Sequence, residues 1–256
     1  MGGLGTCVRA GLSRTGSHLL LGESPQSKAA ASAVLVLPAR DEAADVGSVV
    51  RRGRTQGLQV IVVDDHSTDR TAEIARAAGA DVLSLPFHAG NWTAIQTGLR
   101  YARSLRYGYV VTLDADGQHD PEQALDLLAR MDQPGAPHVI IASCPARANQ
   151  RRKLAWRVLR WLSGLPFDDL TSGFRVYDRT AADLLASPEC TLLEYQDIGV
   201  LLHLRHYRLR IAEVGVRMRP RRTGRSRVFN SWLVVFYYLL YSSLIGVSRR
   251  VRRHRR

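Results

Sequence analysis

Five short apolar runs mark out the first part of the chain: AVLVL (33–37), QVIVV (59–63), VLSL (82–85), YVVTL (109–113) and HVIIA (138–142). Runs this short and this continuous predict strands buried on both faces, because a half-exposed strand would alternate apolar and polar residues. Between them lie stretches of helical character, TAEIARAAGA (71–80) closed by Gly79, AIQTGLRYARSL (94–105), and PEQALDLLARM (121–131). Pro121 opens the last of these, where its missing N–H has no helical partner to lose. Strand and helix alternating at this spacing predict an α/β fold with a mostly parallel central sheet flanked by helices. No internal repeat is evident. After Ser163 the alternation weakens, and the region reads as one that completes a site instead of extending the core. A helix near 196–205 and a strand near 209–214 are expected there.

The two ends differ from this middle. Residues 1–30 are rich in Gly, Ser and Ala and read as a disordered leader. They lack the continuous apolar core of a secretory signal. The opening MGGLGT fits a myristoylation pattern at Gly2, which nothing else in the chain supports. At the other end, SWLVVFYYLLYSSLIGV (231–247) runs for 17 residues without a charge, followed by SRRVRRHRR. A membrane-crossing helix needs about 20 apolar residues. Basic clusters on both sides oppose a span, since one of them would have to leave the cytoplasm. Trp232, Tyr237, Tyr238 and Tyr241 suit the headgroup zone. Residues 229–256 are therefore expected to form a membrane-associated apolar helix and basic tail, lying in the interface or re-entering shallowly. A true span and a helix packed in an oligomer remain the alternatives.

The 256 residues suit one large α/β domain, placed at 31–228. The net charge of +13 is unevenly distributed. From His203 to Arg256 there are 15 arginines and one acid, Glu213, against 21 basic and 22 acidic residues before them. A nucleic-acid-binding fold would spread basic charge along a groove with aromatics interleaved, so nucleic acid is not expected as a partner. A terminal basic block beside an apolar run fits attraction to an anionic membrane surface, which places the protein at the cytoplasmic face of a membrane, peripheral or monotopic. Cys7, Cys144 and Cys190 lie far apart without metal-ligand spacing and read as reduced thiols. Cys144 is expected to be buried.

Ligands of a parallel α/β sheet bind beyond the carboxyl ends of its strands, and the acids of this chain collect there. Asp41 and Glu42 follow the first strand, Asp64 and Asp65 the second, and Asp114 and Asp116 the fourth. In an extended segment, residues two apart point to the same side. Asp114 and Asp116 could thus converge on one hard divalent cation, Mg2+ or Mn2+, which would neutralise a diphosphate leaving group. Taken alone, DADG is open to a second reading as an acidic turn.

VLPARDEA, VIVVDDHSTDRT, AIQTGLRYA, LDADGQHDPE, DLTSGFRVYDR and RIAEVGVRMRPRRTGRSR occur in an order that resembles glycosyltransferase family 2. The resemblance is to its dolichyl-phosphate mannose synthase and polyprenyl-phosphate glycosyltransferase branch, and it runs from about Ala33 to Val228. It implies a GT-A fold, a nucleotide-sugar donor and inversion at the anomeric carbon. It further implies that Pro38, Arg40, Asp41, Glu42 and Asp64 contact the nucleotide. Asp114 and Asp116 should hold the metal, with Gln118 as third ligand and Asp116 counted among the catalytic groups. Asp65 and Asp69 are expected to shape loops. Ser172, Gly173, Phe174 and Arg175 form an SGFR element near the acceptor, where Arg175 is read as a phosphate contact or a surface ion pair, and Phe174 as core packing. Glu194 and Asp197 stand where relatives carry a catalytic-base carboxylate. Arg225 and Ser226, within the run of arginines 219, 221, 222, 225 and 227, are assigned to donor and acceptor phosphates, which guanidinium groups grip in bidentate fashion. Trp92, in place of a small residue, is expected to reshape the donor pocket.

The expected function is transfer of a hexosyl unit from a UDP- or GDP-sugar to a polyprenyl phosphate. A saccharide acceptor in polysaccharide or cell-wall assembly is the alternative enzyme, and a basic binding module on a degenerate scaffold the non-enzymatic one. The intact DADGQHD and SGFR elements count against the last. The sugar, the base and the oligomeric state stay open at this level.

Overall fold

The computed structural model describes residues 28–144, 157, 160, 163–191 and 198–219. The five apolar runs form β1 (Ala33–Ala39), β2 (Gln59–Asp64), β3 (Asp81–Ser84), β4 (Tyr109–Thr112) and β5 (Val139–Ser143). Two further strands, β6 (Arg175–Asp178) and β7 (Ile211–Gly215), complete a seven-stranded sheet in the order β3-β2-β1-β4-β6-β5-β7. β1 pairs in parallel with β2 and β4, β2 with β3, and β5 with β7. β6 runs antiparallel to both of its neighbours.

The central strands are covered on both faces, which is why they read as continuous apolar runs, whereas β3, at the sheet's edge, is only partly buried, against expectation. Val34, Val36, Ile61 and Val63 enter one hydrophobic cluster, while Leu35, Leu37, Val60 and Val62 enter the other. The first cluster is closed by α4 (Asn91–Ser104), α6 (Arg179–Leu185) and α7 (Ile198–His206). The second is closed by α1 (Lys28–Ala31), α2 (Val46–Thr55), α3 (Thr71–Ala77) and α5 (Glu122–Met131). Burying each of these Val, Leu and Ile side chains contributes about 1.5–3 kcal/mol. α2, which the strand-and-helix pattern did not single out, turns Val46, Val49, Val50 and Gly53 inward at helical spacing. On the opposite face α4 crosses β1 so closely that a Cβ on Gly98 would lie 2.3 Å from Val36 Cγ1.

Three further expectations give way to the structure. α4 begins at Asn91, ahead of the expected start, because Gly90 breaks the chain with φ +91° and Trp92 then falls in the first turn. Trp92 is a core residue: its Nε1–H donates to the Cys190 carbonyl at 2.8 Å, and the ring joins the first cluster instead of lining a pocket. Gln96 Nε2 donates to Leu185 and Ser187 carbonyls, each at 3.0 Å, and Arg100 Nε to that of Ala186 at 2.9 Å. Spaced four apart on one helix face, the three side chains supply donors to carbonyls at and beyond the end of α6, where a helix has none of its own. Finally, the region after Ser163 does extend the core. β6 sits between β4 and β5, with Tyr177 and Val176 on opposite faces of the sheet.

Candidate active site

From β1 the chain moves to β2 and β3 on one side, then returns through α4 to β4 on the other. The loops leaving β1 and β4 therefore diverge, which opens a crevice at the carboxyl edge of the sheet. Asp41, Glu42, Asp64, Asp65, Asp114 and Asp116 all follow strands that end on this edge. β7 is parallel to β5 and ends there too, so the chain beyond it emerges beside the same crevice.

The loops after β1 and β2 are tied to each other. Asp41 has a left-handed backbone, φ 51°, which Asp tolerates better than most side chains. Its N–H donates to Ser67 Oγ at 3.0 Å, and its Oδ1 accepts from the Thr68 N–H and hydroxyl at 2.7 and 3.1 Å. The Glu42 N–H donates to Thr71 Oγ1 at 2.8 Å. Asp69 accepts from the N–H groups of Ala43 and Thr71 at 3.2 and 2.9 Å, and Asp64 from that of Ser67 at 3.2 Å. Asp65 is 4 % exposed and accepts from the Ala89 and Gly90 N–H groups at 2.7 and 3.0 Å and from His88 Nδ1 at 2.7 Å. Asp65 and Asp69 thus shape loops, as expected. Pro38 is buried within β1, paired with Val63, and Arg40 lies at the strand's exit with Nε 3.9 Å from Asp41.

After β4 the chain carries Asp114 and Asp116 across the mouth of the crevice. Asp116 is 9 % exposed and its Oδ1 accepts from the Gln118 N–H at 3.1 Å. Gly117, with φ +72°, makes the turn between them. The Asp114 carboxylate lies against Gly173, where an added Cβ would stand 2.5 and 2.8 Å from its two oxygens. The glycine of the SGFR element is thereby explained as the seat of a carboxylate.

These residues fit a Mg2+ or Mn2+ ion. Among the described residues no cluster of three or more His, Cys, Asp or Glu forms a closed cage. Asp114 and Asp116, two residues apart after β4 at the carboxyl edge of the sheet, are the oxygen-donor type suited to a cation that takes one or two protein ligands and fills the rest with phosphate oxygens and water. Gln118 is brought to the same turn by its backbone, whose carbonyl accepts from the Arg219 N–H at 2.8 Å.

The rest of the SGFR element faces inward. Ser172 is 1 % exposed and its hydroxyl donates to the Ala142 carbonyl, so it fastens the loop to β5. Phe174 is core, edge-on to His119 with centroids 5.2 Å apart. Arg175 is fully buried at the start of β6 and donates through Nη2 to the Leu170 carbonyl at 3.1 Å, which removes the surface ion pair as a reading. Ser172 and Arg175, expected to touch ligand, direct donors to the carbonyls of Ala142 in β5 and Leu170 in the preceding loop.

Sequence reasoning passed over Glu213. This lone acid in the basic end accepts from the backbone N–H groups of Asp168 and Asp169, both at 2.8 Å, and so anchors the loop leading to Gly173. Its isolation among arginines was the available signal. Cys144 is half-buried, not buried as expected, because β5 ends at Ser143 and leaves it at the open edge. Cys7, Glu194, Asp197, Arg225, Ser226, residues 1–27 of the leader and the 229–256 tail lie outside the described residues, whereas 28–30, expected as the disordered end of the leader, form most of α1 and bury Ala29 in the second cluster.

An α/β sheet with acidic residues gathered at its topological switch point suits a protein that binds a ligand at that edge. The sequence model of Glycosyl transferase family 2 matches residues 34–182, more than half of the chain, and the chain belongs to that family: it is a glycosyltransferase. It is similar to an uncharacterized protein of Methanocaldococcus jannaschii, 35% identical over 89 residues, which make up 34% of this chain and 37% of that protein. It is also similar to the undecaprenyl-phosphate mannosyltransferase of Micrococcus luteus, 30% identical over 185 residues, covering 66% of this chain and 75% of that enzyme. In fold it matches the solved glucosyl-3-phosphoglycerate synthase of Mycobacterium tuberculosis in complex with Mn2+, UDP and glucosyl-3-phosphoglycerate. The TM-score there is 0.64 at 20% identity, over 91% of this chain and 86% of that one.

Proposed function

We propose that the protein transfers a hexosyl unit from a UDP- or GDP-sugar to a polyprenyl phosphate, with inversion, at the cytoplasmic face of a membrane. The observation that carries this reading is the Asp114 carboxylate seated on Gly173, two residues before Asp116, in a chain similar to an undecaprenyl-phosphate mannosyltransferase over 66% of its length. Pro38, Arg40, Asp41, Glu42 and Asp64 border the nucleotide. Asp114 and Asp116, joined by Gln118, hold Mg2+ or Mn2+. When bound, the ion offsets the charge that gathers on the departing diphosphate.

The acceptor follows from proton chemistry. A sugar hydroxyl is a poor nucleophile at neutral pH and needs a carboxylate to remove its proton. A phosphate monoester has a second pKa of about 6 and is already mostly dianionic. Such an acceptor attacks unaided, and Asp197 is then dispensable as a base. What two neighbouring anions need is cationic positioning, a role that falls to Arg225 and the metal, with the Ser226 hydroxyl as a neutral hydrogen-bonding group. The terminal arginines and the 231–247 apolar run keep the site at the lipid surface, with attraction of about 1 kcal/mol per arginine near anionic headgroups.

The test is a screen of UDP- and GDP-sugars against purified membranes, with and without Mn2+, reading product in the lipid extract. Initial rates of two variants then separate the acceptors. Asp197→Asn should lose about tenfold or less, and Arg225→Ala considerably more. A dead Asp197→Asn enzyme beside a nearly normal Arg225→Ala, with product in the aqueous phase, would replace the lipid phosphate by a saccharide.

A further inference from the structure

The turn that carries Asp114, Asp116 and Gln118 is held from outside by segments far away in sequence. On one side stands Arg52 of α2, with Nη1 3.4 Å from Asp120 Oδ1. On the other is the chain just beyond β7. Arg217 exchanges backbone hydrogen bonds with the Gln123 side chain at 2.7 and 2.8 Å, Met218 forms an antiparallel bridge with His119, and the Arg219 N–H donates to the Gln118 carbonyl at 2.8 Å. The Arg219 guanidinium meets Asp120 Oδ2 in a short charge-assisted bond. Asp120 is 8 % exposed, so a lone negative charge there would be poorly solvated without its two arginines.

We propose that Asp120 is a positioning residue for the metal carboxylates. It divides its two oxygens between Arg52 and Arg219, so that the Asp114–Gln118 turn keeps its shape only while the strand beyond β7 is docked against it. This rests on the metal-dependent reading above. A competing role is local: Asp120 Oδ1 also accepts from the Glu122 N–H at 3.3 Å, at the start of α5. Asparagine keeps an oxygen for that N–H and removes the charge that the arginines need, so the two roles separate.

The experiment uses the full chain and the variants Asp120→Asn, Arg219→Met and Arg219→Lys. Free Mn2+ is followed by its electron paramagnetic resonance signal in the presence of UDP or GDP, without turnover. Kinetics at graded Mn2+ then split kcat from the metal requirement. The expected result is Mn2+ binding weakened about tenfold in Asp120→Asn and Arg219→Met, as is usual when a supporting residue of a metal site is lost. Arg219→Lys should recover most of it, and kcat at saturating Mn2+ should fall less than the affinity does; Arg219→Met, which leaves Asp120 with Arg52 alone, should also lower the thermal midpoint, and Arg219→Lys should restore it. Unchanged Mn2+ binding in both charge-removing variants would overturn the proposal while leaving metal-dependent transfer intact. A drop in thermal midpoint with unaltered Mn2+ binding would do the same and assign Asp120 to α5. Full activity of the wild-type chain in EDTA would overturn both this and the parent reading.

Discussion

Residues 33–131 and residues 163–219 meet at one sheet edge but are built by different means. In the first, strands of four to seven residues alternate with helices, and side chains such as Leu35, Val36, Ile61 and Val62 bury both faces. In the second, β6 has four residues and α7 nine, and buried polar groups do much of the fastening. Arg175 holds the Leu170 carbonyl, Ser172 that of Ala142, and Glu213 the N–H groups of Asp168 and Asp169. Apolar burial is non-directional and tolerant, whereas a buried donor or acceptor is costly when its partner goes. The strands of residues 33–131 are thus secured mainly by area, and the loop that leads into β6 mainly by specific bonds.

That contrast can be broken at its sharpest point by removing a carboxylate from the well-buried half. Asp116→Asn should lower transfer at least about a hundredfold, since the charge that holds the cation goes, while the fold persists. A radiolabelled-sugar transfer assay beside a thermal melt reads both, and a large loss of melting temperature would mean that the residue is structural. Gly173→Ala tests the seam between the halves. A Cβ there would stand 2.5 Å from an Asp114 oxygen, so the carboxylate must shift. The Mn2+ concentration for half-maximal activity should rise about tenfold. An unmoved activation curve would disconnect Gly173 from the cation.

Stability effects are smaller and fall on specific polar bonds. Glu213→Ala strands two backbone N–H groups and should destabilise the protein by about 2 kcal/mol in urea unfolding. A neutral outcome would mean that water replaces the carboxylate and that the bonds at 2.8 Å contribute little. Smallest is Trp92→Phe, which keeps most of the apolar area and deletes the indole N–H bond to Cys190. Its expected cost is about 1 kcal/mol, read in the same unfolding curves. A loss above that of Glu213→Ala would show that the α4–α6 junction depends on ring shape more than on the bond.

What the sequence determined by itself was everything that repeats or clusters locally. Continuous apolar runs reported strands covered on both faces, and the acids at their ends reported the edge where a ligand binds. The motif order carried family membership, because Asp114 and Asp116 lie two residues apart on one turn. The tertiary structure decided what depends on contacts between distant positions. Four residues beginning with arginine read poorly as a strand, and β6 is one because Arg175 finds the Leu170 carbonyl and Tyr177 and Val176 find separate clusters. Trp92 reads as a donor-pocket residue, and its place in the core shows only when Cys190, 98 positions later, accepts its N–H. Glu213 looks like a stray acid until β7 delivers it to the loop at 168–169. Apolar periodicity is written along the chain, whereas a buried polar side chain takes its meaning from a partner that only folding brings near.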